Sequence, residues 1–209
     1  MRMNQQRYQT LLLYLVSIFW LFLWSGVLAW PEHGWLIVLV SYFLADAGSY
    51  ILHYIVDFYG DTDKPGIVHE FQLHHADQFG IVKAPLSEVM FPAAWIVVPL
   101  LALLAAVTLA GWIPSGLALC LFVLGACWGY AQLFHRWAHL TFPSLPVKLL
   151  QKTGLVLSPW AHADHHIKPY TSNYAVVNGW SNWLLDSINM PKLIDALLSR
   201  LGFVKREPA

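Results

Sequence analysis

The sequence carries ten histidines, and most of them sit in four short clusters whose spacing suits metal binding. His53 and Asp57 are four residues apart, so a helix places both on one face, where they can share an ion. Phe71-Gln72-Leu73-His74-His75 ends in adjacent histidines. Neighbours on a helix diverge by about 100°, so such a pair reaches two metals, or a metal and a partner beyond it, rather than clasping one ion. His135-Arg136-Trp137-Ala138-His139 is an i,i+4 pair without the glutamate that a zinc protease uses as general base. His162-Ala163-Asp164-His165-His166 gathers three imidazoles within one turn if that segment is helical.

His53, His74, His75, His135, His139, His162, His165 and His166, together with Asp57, exceed what one four-coordinate ion can use, so two metals with open positions are implied. Imidazole suits zinc, copper, iron and nickel, and the ligand type alone does not name the ion. Neutral ligands leave such a pair strongly cationic, so the metals rather than a protein acid or base carry the chemistry. Two further residues are candidates for supporting roles. Asp46 lies two helical turns before His53, about 10 Å away along the axis, and could accept from a histidine N–H or serve helix packing. His69 could be a ligand or a hydrogen-bonding neighbour.

The elements that must position these residues are membrane helices. With 57% hydrophobic and only 11% charged residues, a water-soluble globule is excluded, and zero net charge argues against a grip on nucleic acid. Apolar runs at 10–30, 35–56, 91–110 and 113–134 approach the roughly 20 residues that cross a bilayer. The first is too long for a signal peptide and is expected to be retained. Short Pro- and Gly-bearing links at 31–34 and 111–112 predict two helical hairpins. Arg2, Arg7, Lys64, Lys83 and the basic residues from Arg136 onward all fall on one side of that topology. The positive-inside rule then puts both termini, the loop 57–90 and the cap 135–209 in the cytosol, with every histidine but His33 at that face. Amphipathic segments at 145–157 and 183–201 predict helices in the cap. Cys120 and Cys127, seven apart in one helix, read as packing residues. The expected fold is an all-α integral membrane protein, with four transmembrane helices and a cytosolic histidine-rich helical cap.

These motifs resemble the Kua-type lipid desaturases, a family that includes plasmanylethanolamine desaturase, its bacterial relative CarF and a plant desaturase of phosphatidylglycerol palmitate. The resemblance runs from Ala45 to Leu197. It is carried by His53 to Asp57 with Tyr59-Gly60-Asp61, Phe71 to His75, Phe134 to His139, His162 to His166 with Pro169-Tyr170, and then Asn173-Tyr174, Gly179-Trp180 and Asn182. It implies a single desaturase domain over residues 1–209, a di-iron centre held by the eight histidines and Asp57, and O2 as co-substrate. It further implies a membrane phospholipid, ether or acyl, as substrate. A separate electron donor would serve it, such as cytochrome b5 or a ferredoxin with its reductase. Asn178 or Asn182 could support the site through water or a second contact. Animal members have a further histidine where this chain has Ala161, and another near Tyr170, so the plant and bacterial patterns are closer and the lipid stays open.

The leading expectation is formation of the plasmalogen vinyl ether. Desaturation of a phospholipid acyl chain and lipid hydroxylation on the same scaffold are the alternatives. A haem-binding carrier needs only two of the histidines, a metal transporter would place its site near the bilayer midplane, and a zinc hydrolase lacks its base.

Overall fold

The computed structural model describes residues 2–60 and 66–206; Asp61 of the Tyr59-Gly60-Asp61 motif and Lys64 lie outside the described residues. The described chain is helical, with no strand. Helix α1 spans Arg2–Phe22 and continues as a π-helical turn over Leu23–Val27. Helix α2 spans Gly34–Phe58, α3 Ile67–Ala76 and α4 Gly80–Lys83. Helices α5, Leu86–Leu109, and α6, Ser115–Ala138, are long. Helix α7 spans Leu145–Lys152, and α8, Pro159–Ala163, leads into a 3-10 turn over Asp164–His166. Helices α9, Trp180–Ser187, and α10, Met190–Arg200, complete the chain.

Four of these helices are long and apolar enough to cross a membrane. Only 22–33% of the apolar window in each is buried within the protein. Leu11, Leu15, Ile18 and Leu21 on α1, and Ile96, Leu100 and Leu103 on α5, are left outward. Apolar surface on this scale is stable against hydrocarbon, not water, and the chain is an integral membrane protein. Helix α1 begins eight residues ahead of the apolar run, because Asn4, Gln5 and Gln6 carry no helix breaker and extend the same coil.

The chain divides into two compact units. The first comprises Met1–Ala45 and Pro85–Leu133. Its core is Leu13, Trp20, Met90, Val97 and Leu101, and Trp20 Nε1 donates to the Leu101 carbonyl at 3.0 Å. The hairpin expectation paired neighbours in sequence, yet α1 packs extensively on α5, the third long helix. Gly125 and Gly129 open one face of α6: a Cβ at Gly129 would lie 2.9 Å from Leu13 Cδ1 and 3.3 Å from Val97 Cγ1. Such small-residue spacing lets membrane helices approach closely. Cys120 and Cys127 form no disulfide.

The second unit comprises Asp46–Ala84 and Phe134–Ala209. Tyr50, Tyr54, Phe58, Tyr174, Leu185 and Ile194 form its aromatic core. The Tyr50 hydroxyl donates to Asp186 at 2.6 Å, and those of Tyr54 and Tyr59 donate to Asp195 at 2.6 and 2.7 Å. These bonds pin the end of α2 to α9 and α10, and with it the adjoining stripe of His53 and Asp57. The helix expected over 183–201 is two helices. Asn189 between them adopts a left-handed φ of 55°, which asparagine tolerates, and Pro191 starts the next helix. The helix expected over 145–157 stops at Lys152, and Gly154, at φ 71°, turns the chain away.

Candidate metal centre

The eight histidines and Asp57 all belong to the second unit, where they fall into two groups. His74, His135, His139, His162 and His166 form one; His53, Asp57, His75 and His165 form the other. Within each group, one donor atom per residue lies within 4.8 Å of all the others. Helix α2 contributes His53 and Asp57, α3 the His74-His75 pair, and α6 His135 in its last turn. His162 stands on α8, and His165 and His166 on the 3-10 turn after it. Both adjacent pairs divide: His74 and His166 join the five-histidine group, His75 and His165 the group with Asp57. Divergence of successive side chains on a helical turn produces that split.

The separations are those of ligands around common ions. In the five-histidine group, Nε2 atoms lie 2.9 Å apart for His74 and His139, 2.8 Å for His135 and His162, 3.3 Å for His135 and His139, and 2.9 Å for His162 and His166. Around Asp57, the Nε2 atoms of His75, His165 and His53 lie 3.2, 3.4 and 3.5 Å from Oδ2. Donors about 2.0–2.1 Å from one ion are roughly 2.8–3.4 Å from each other at right-angled to tetrahedral spacing. Mutual hydrogen bonding does not account for the clusters. Each neutral ring nitrogen has one proton or one lone pair, so five converging Nε2 atoms cannot all satisfy one another. Both Asp57 oxygens, and Nε2 of His53, His75 and His165, are buried without a hydrogen-bond partner among the described residues. A bare buried carboxylate facing three imidazoles is costly unless a cation lies between them, so the donor set fits a metal in each group.

The chain also orients its donors. His53 Nδ1 lies 2.8 Å from the Tyr174 carbonyl, and His165 Nδ1 3.3 Å from that of Ser172. A carbonyl only accepts, so Nδ1 carries the proton in both rings and Nε2 presents its lone pair. Neither carbonyl was foreseeable from side-chain spacing. The available signal was Asn173 between them, which takes the left-handed φ of 62°. Arg136 points away from the histidines and donates to the carbonyls of Ile81, Val82 and Ala84 at 2.6–2.8 Å, fixing the segment around α4.

The supporting residues lie elsewhere. Asp46 does not accept from a histidine: Oδ1 takes the N–H groups of Asn178 and Gly179, and Oδ2 the N–H and hydroxyl of Ser181, at 2.7–3.0 Å. It serves as the acceptor at the start of α9, where unpaired helix N–H groups need one. Asn182 Oδ1 accepts from Ala175 N and Asn178 Oδ1 from Trp180 N, both at 2.9 Å, so the two asparagines shape the 175–182 turn. His69 is half-buried and belongs to neither group. His33 is exposed beside Glu32, in the turn before α2.

Burial pushes the imidazoles toward neutrality, and neighbouring rings add to it. His139 is lowered to about 4, His74 and His166 to about 2, and His162 and His165 also fall well below the usual range. All are then unprotonated donors at neutral pH. Folded values below the unfolded 6.5 mean that the unfolded chain takes up protons first on acidification. The metal-free protein should therefore hold its stability above about pH 6.5 and lose it steadily below. Thermal unfolding of stripped protein between pH 8 and 5 tests this; a Tm that stays level down to pH 5 would contradict burial of neutral imidazoles.

A lipid desaturase domain model matches residues 42–207, a span that contains every donor described above. The chain belongs to the lipid desaturase family. It is 30% identical over 169 residues to a plasmanylethanolamine desaturase of Myxococcus xanthus, covering 78% of this chain and 59% of that protein. It is 34% identical over 195 residues to the chloroplastic fatty acid desaturase 4-like 2 of Arabidopsis thaliana, covering 87% and 67%. With plasmanylethanolamine desaturase 1 of Mus musculus it shares 26% over 192 residues, covering 84% and 69%. The chain thus spans about three fifths to two thirds of the length of these curated relatives. No solved structure matches it. The histidine groups of this family member are fitting sites for metal ions.

Proposed function

We propose that the chain is an O2-dependent di-iron lipid desaturase, a single membrane domain that forms the vinyl ether of an alkyl-ether phospholipid such as plasmanylethanolamine. The observation that carries this is the pair of neighbouring donor groups sharing both His-His dipeptides, with neutral imidazoles and one carboxylate. Two bound iron ions would supply the redox chemistry: –CH2–CH2– plus O2, two electrons and two protons gives –CH=CH– and two waters. The chain's own part is to keep the imidazoles neutral, to set one negative charge at Asp57, and to aim the His53 and His165 rings through the Tyr174 and Ser172 carbonyls. Among the described residues, every member of the two groups is a candidate ligand.

The Myxococcus relative supports the ether substrate, and the plant relatives support a second reading, an acyl chain of a phospholipid. The fall of the basic residues, among them Lys83, Arg136 and Lys148, on one side of the spans supports a cytosolic site; the family resemblance supports electron delivery by cytochrome b5 or by a ferredoxin with its reductase. The test is expression in cells that hold alkyl-ether phospholipids but no vinyl ethers. Acid-labile ether lipids two hydrogens lighter are expected. Lighter acyl chains alone would move the assignment to the second reading, and a gain of oxygen would make the enzyme a hydroxylase. Two zinc and no iron per chain, with O2-independent turnover, would end the desaturase reading.

A further inference from the structure

The two donor groups differ in access. His53, Asp57, His75 and His165 are all buried, whereas His139 and His166 of the five-histidine group are partly exposed. A cleft of about 250 Å3 opens on that side, and His139, His162 and His166 form part of its wall. Phe79, Leu140 and Ala163 also line it, and apart from Gln78 and Thr141 the remaining wall is apolar. No residue of the Asp57 group reaches it. A second cavity, of about 290 Å3, is lined by Arg7, Tyr14 and Leu86 among others and includes no metal donor.

We propose that this cleft admits the hydrocarbon chain of the lipid, so that the reacting carbons meet the five-histidine side of the centre while the Asp57 side stays sealed. The inference rests on the desaturase reading and adds to it where the substrate binds and which half of the centre it meets. Pockets that enclose a whole small ligand hold about 300–1,000 Å3, so this cleft suits a stretch of chain, with the rest of the lipid left outside. Apolar walls fit methylene groups, and three imidazoles are the polar surface such a stretch meets at the metal end. Its Phe79 wall is held in place: Phe79 immediately precedes α4, and Arg136 clamps the α4 carbonyls of Ile81 and Val82 and that of Ala84 just after it. A tethered wall keeps the chain's approach fixed, and orientation of that kind governs rate. Ala138 and Ala163 have the smallest side chains of the wall, and a larger one at Ala163 narrows a cleft that no residue of the Asp57 group lines.

The test reads binding separately from turnover. Full-length protein in phosphatidylcholine vesicles is photolabelled with a phospholipid carrying a diazirine on one chain, and the labelled peptides are mapped. Label is expected at Phe79 and Leu140 in the wild type, and label at Leu140 should fall at least fivefold in Ala163→Trp and in Phe79→Trp. Label on the outward residues Leu11 and Ile18 should stay unchanged, and iron content is checked in parallel. The second variant carries the test if Ala163→Trp loses iron. Wild-type protein unlabelled at Phe79 and Leu140, or labelling at Leu140 that both variants leave intact, overturns the proposal. An enzyme that desaturates with unaltered kcat/KM in both variants retires the cleft and leaves the function standing. Cleft labelling in a protein that makes no double bond would do the reverse.

Discussion

Replacing His162 by alanine is expected to abolish product formation and to remove one iron per chain while leaving the helices intact. His162 is 1% exposed, and its Nε2 lies 2.8 Å from that of His135 and 2.9 Å from that of His166, in the middle of the five-histidine group. Its loss leaves four donors around an off-centre gap. Removing even a residue that only supports a ligand costs about 10–100-fold in metal affinity or activity, so removing a ligand should cost more, roughly 1,000-fold or beyond in turnover. The fold should survive, because the histidine is held by α8, whose start is fixed independently by Pro159 and by the Ser158 hydroxyl accepting from Ala161 N. Elemental analysis, far-UV circular dichroism and lipid analysis separate these outcomes. His33→Ala, in an exposed turn far in sequence from any donor, should behave as wild type. Full activity in His162→Ala would remove the five-histidine group from the mechanism.

Much of this site could be read from spacing, because local helical geometry is periodic. The i,i+4 pairs His53 with Asp57 and His135 with His139 each end in one group, and the adjacent histidines point to different groups, as a 100° turn per residue requires. Which segments meet was not legible. His53 shares its group with His165, and His135 with His162, through contacts more than twenty residues long that depend on how α2, α6 and the 158–182 region pack. Asp46 shows the limit in a single residue. Helical spacing put it on the histidine face, but the N–H groups exposed by the left-handed Gly179 before α9 claim both its oxygens. Hydropathy likewise located four spans and misplaced their ends, since a helix continues through polar residues that hydropathy discounts. His135 shows this: α6 runs four residues beyond the expected end, and its last turn carries that candidate ligand.

Asp57→Asn should produce the complementary signature, one iron per chain in place of two and loss of desaturation, with the opposite effect on the empty protein. Asp57 is the one anionic donor in either group, fully buried, with three Nε2 atoms 3.2–3.5 Å from Oδ2. Asparagine keeps the shape and one carbonyl oxygen but removes the charge that offsets a cation, so the ion in that group should be lost. In metal-free protein the same change removes an unpaired buried carboxylate and supplies N–H donors for imidazole lone pairs. Metal-free Asp57→Asn should therefore unfold at a higher temperature than metal-free wild type, while iron-loaded wild type exceeds both. Asp46→Asn provides the contrast. There the carboxylate already satisfies four donors at the start of α9, and an amide would face some of them with its own N–H groups. A loss of about 2–4 kcal/mol is expected with or without metal, from buried donors left unpaired. Calorimetry of the two variants, each loaded and stripped, reads the difference directly. A ligand shows a stability change whose sign depends on iron; a structural acceptor shows one that does not. If Asp57→Asn retained two irons, or lost stability when stripped, the carboxylate would be holding the fold and not the metal.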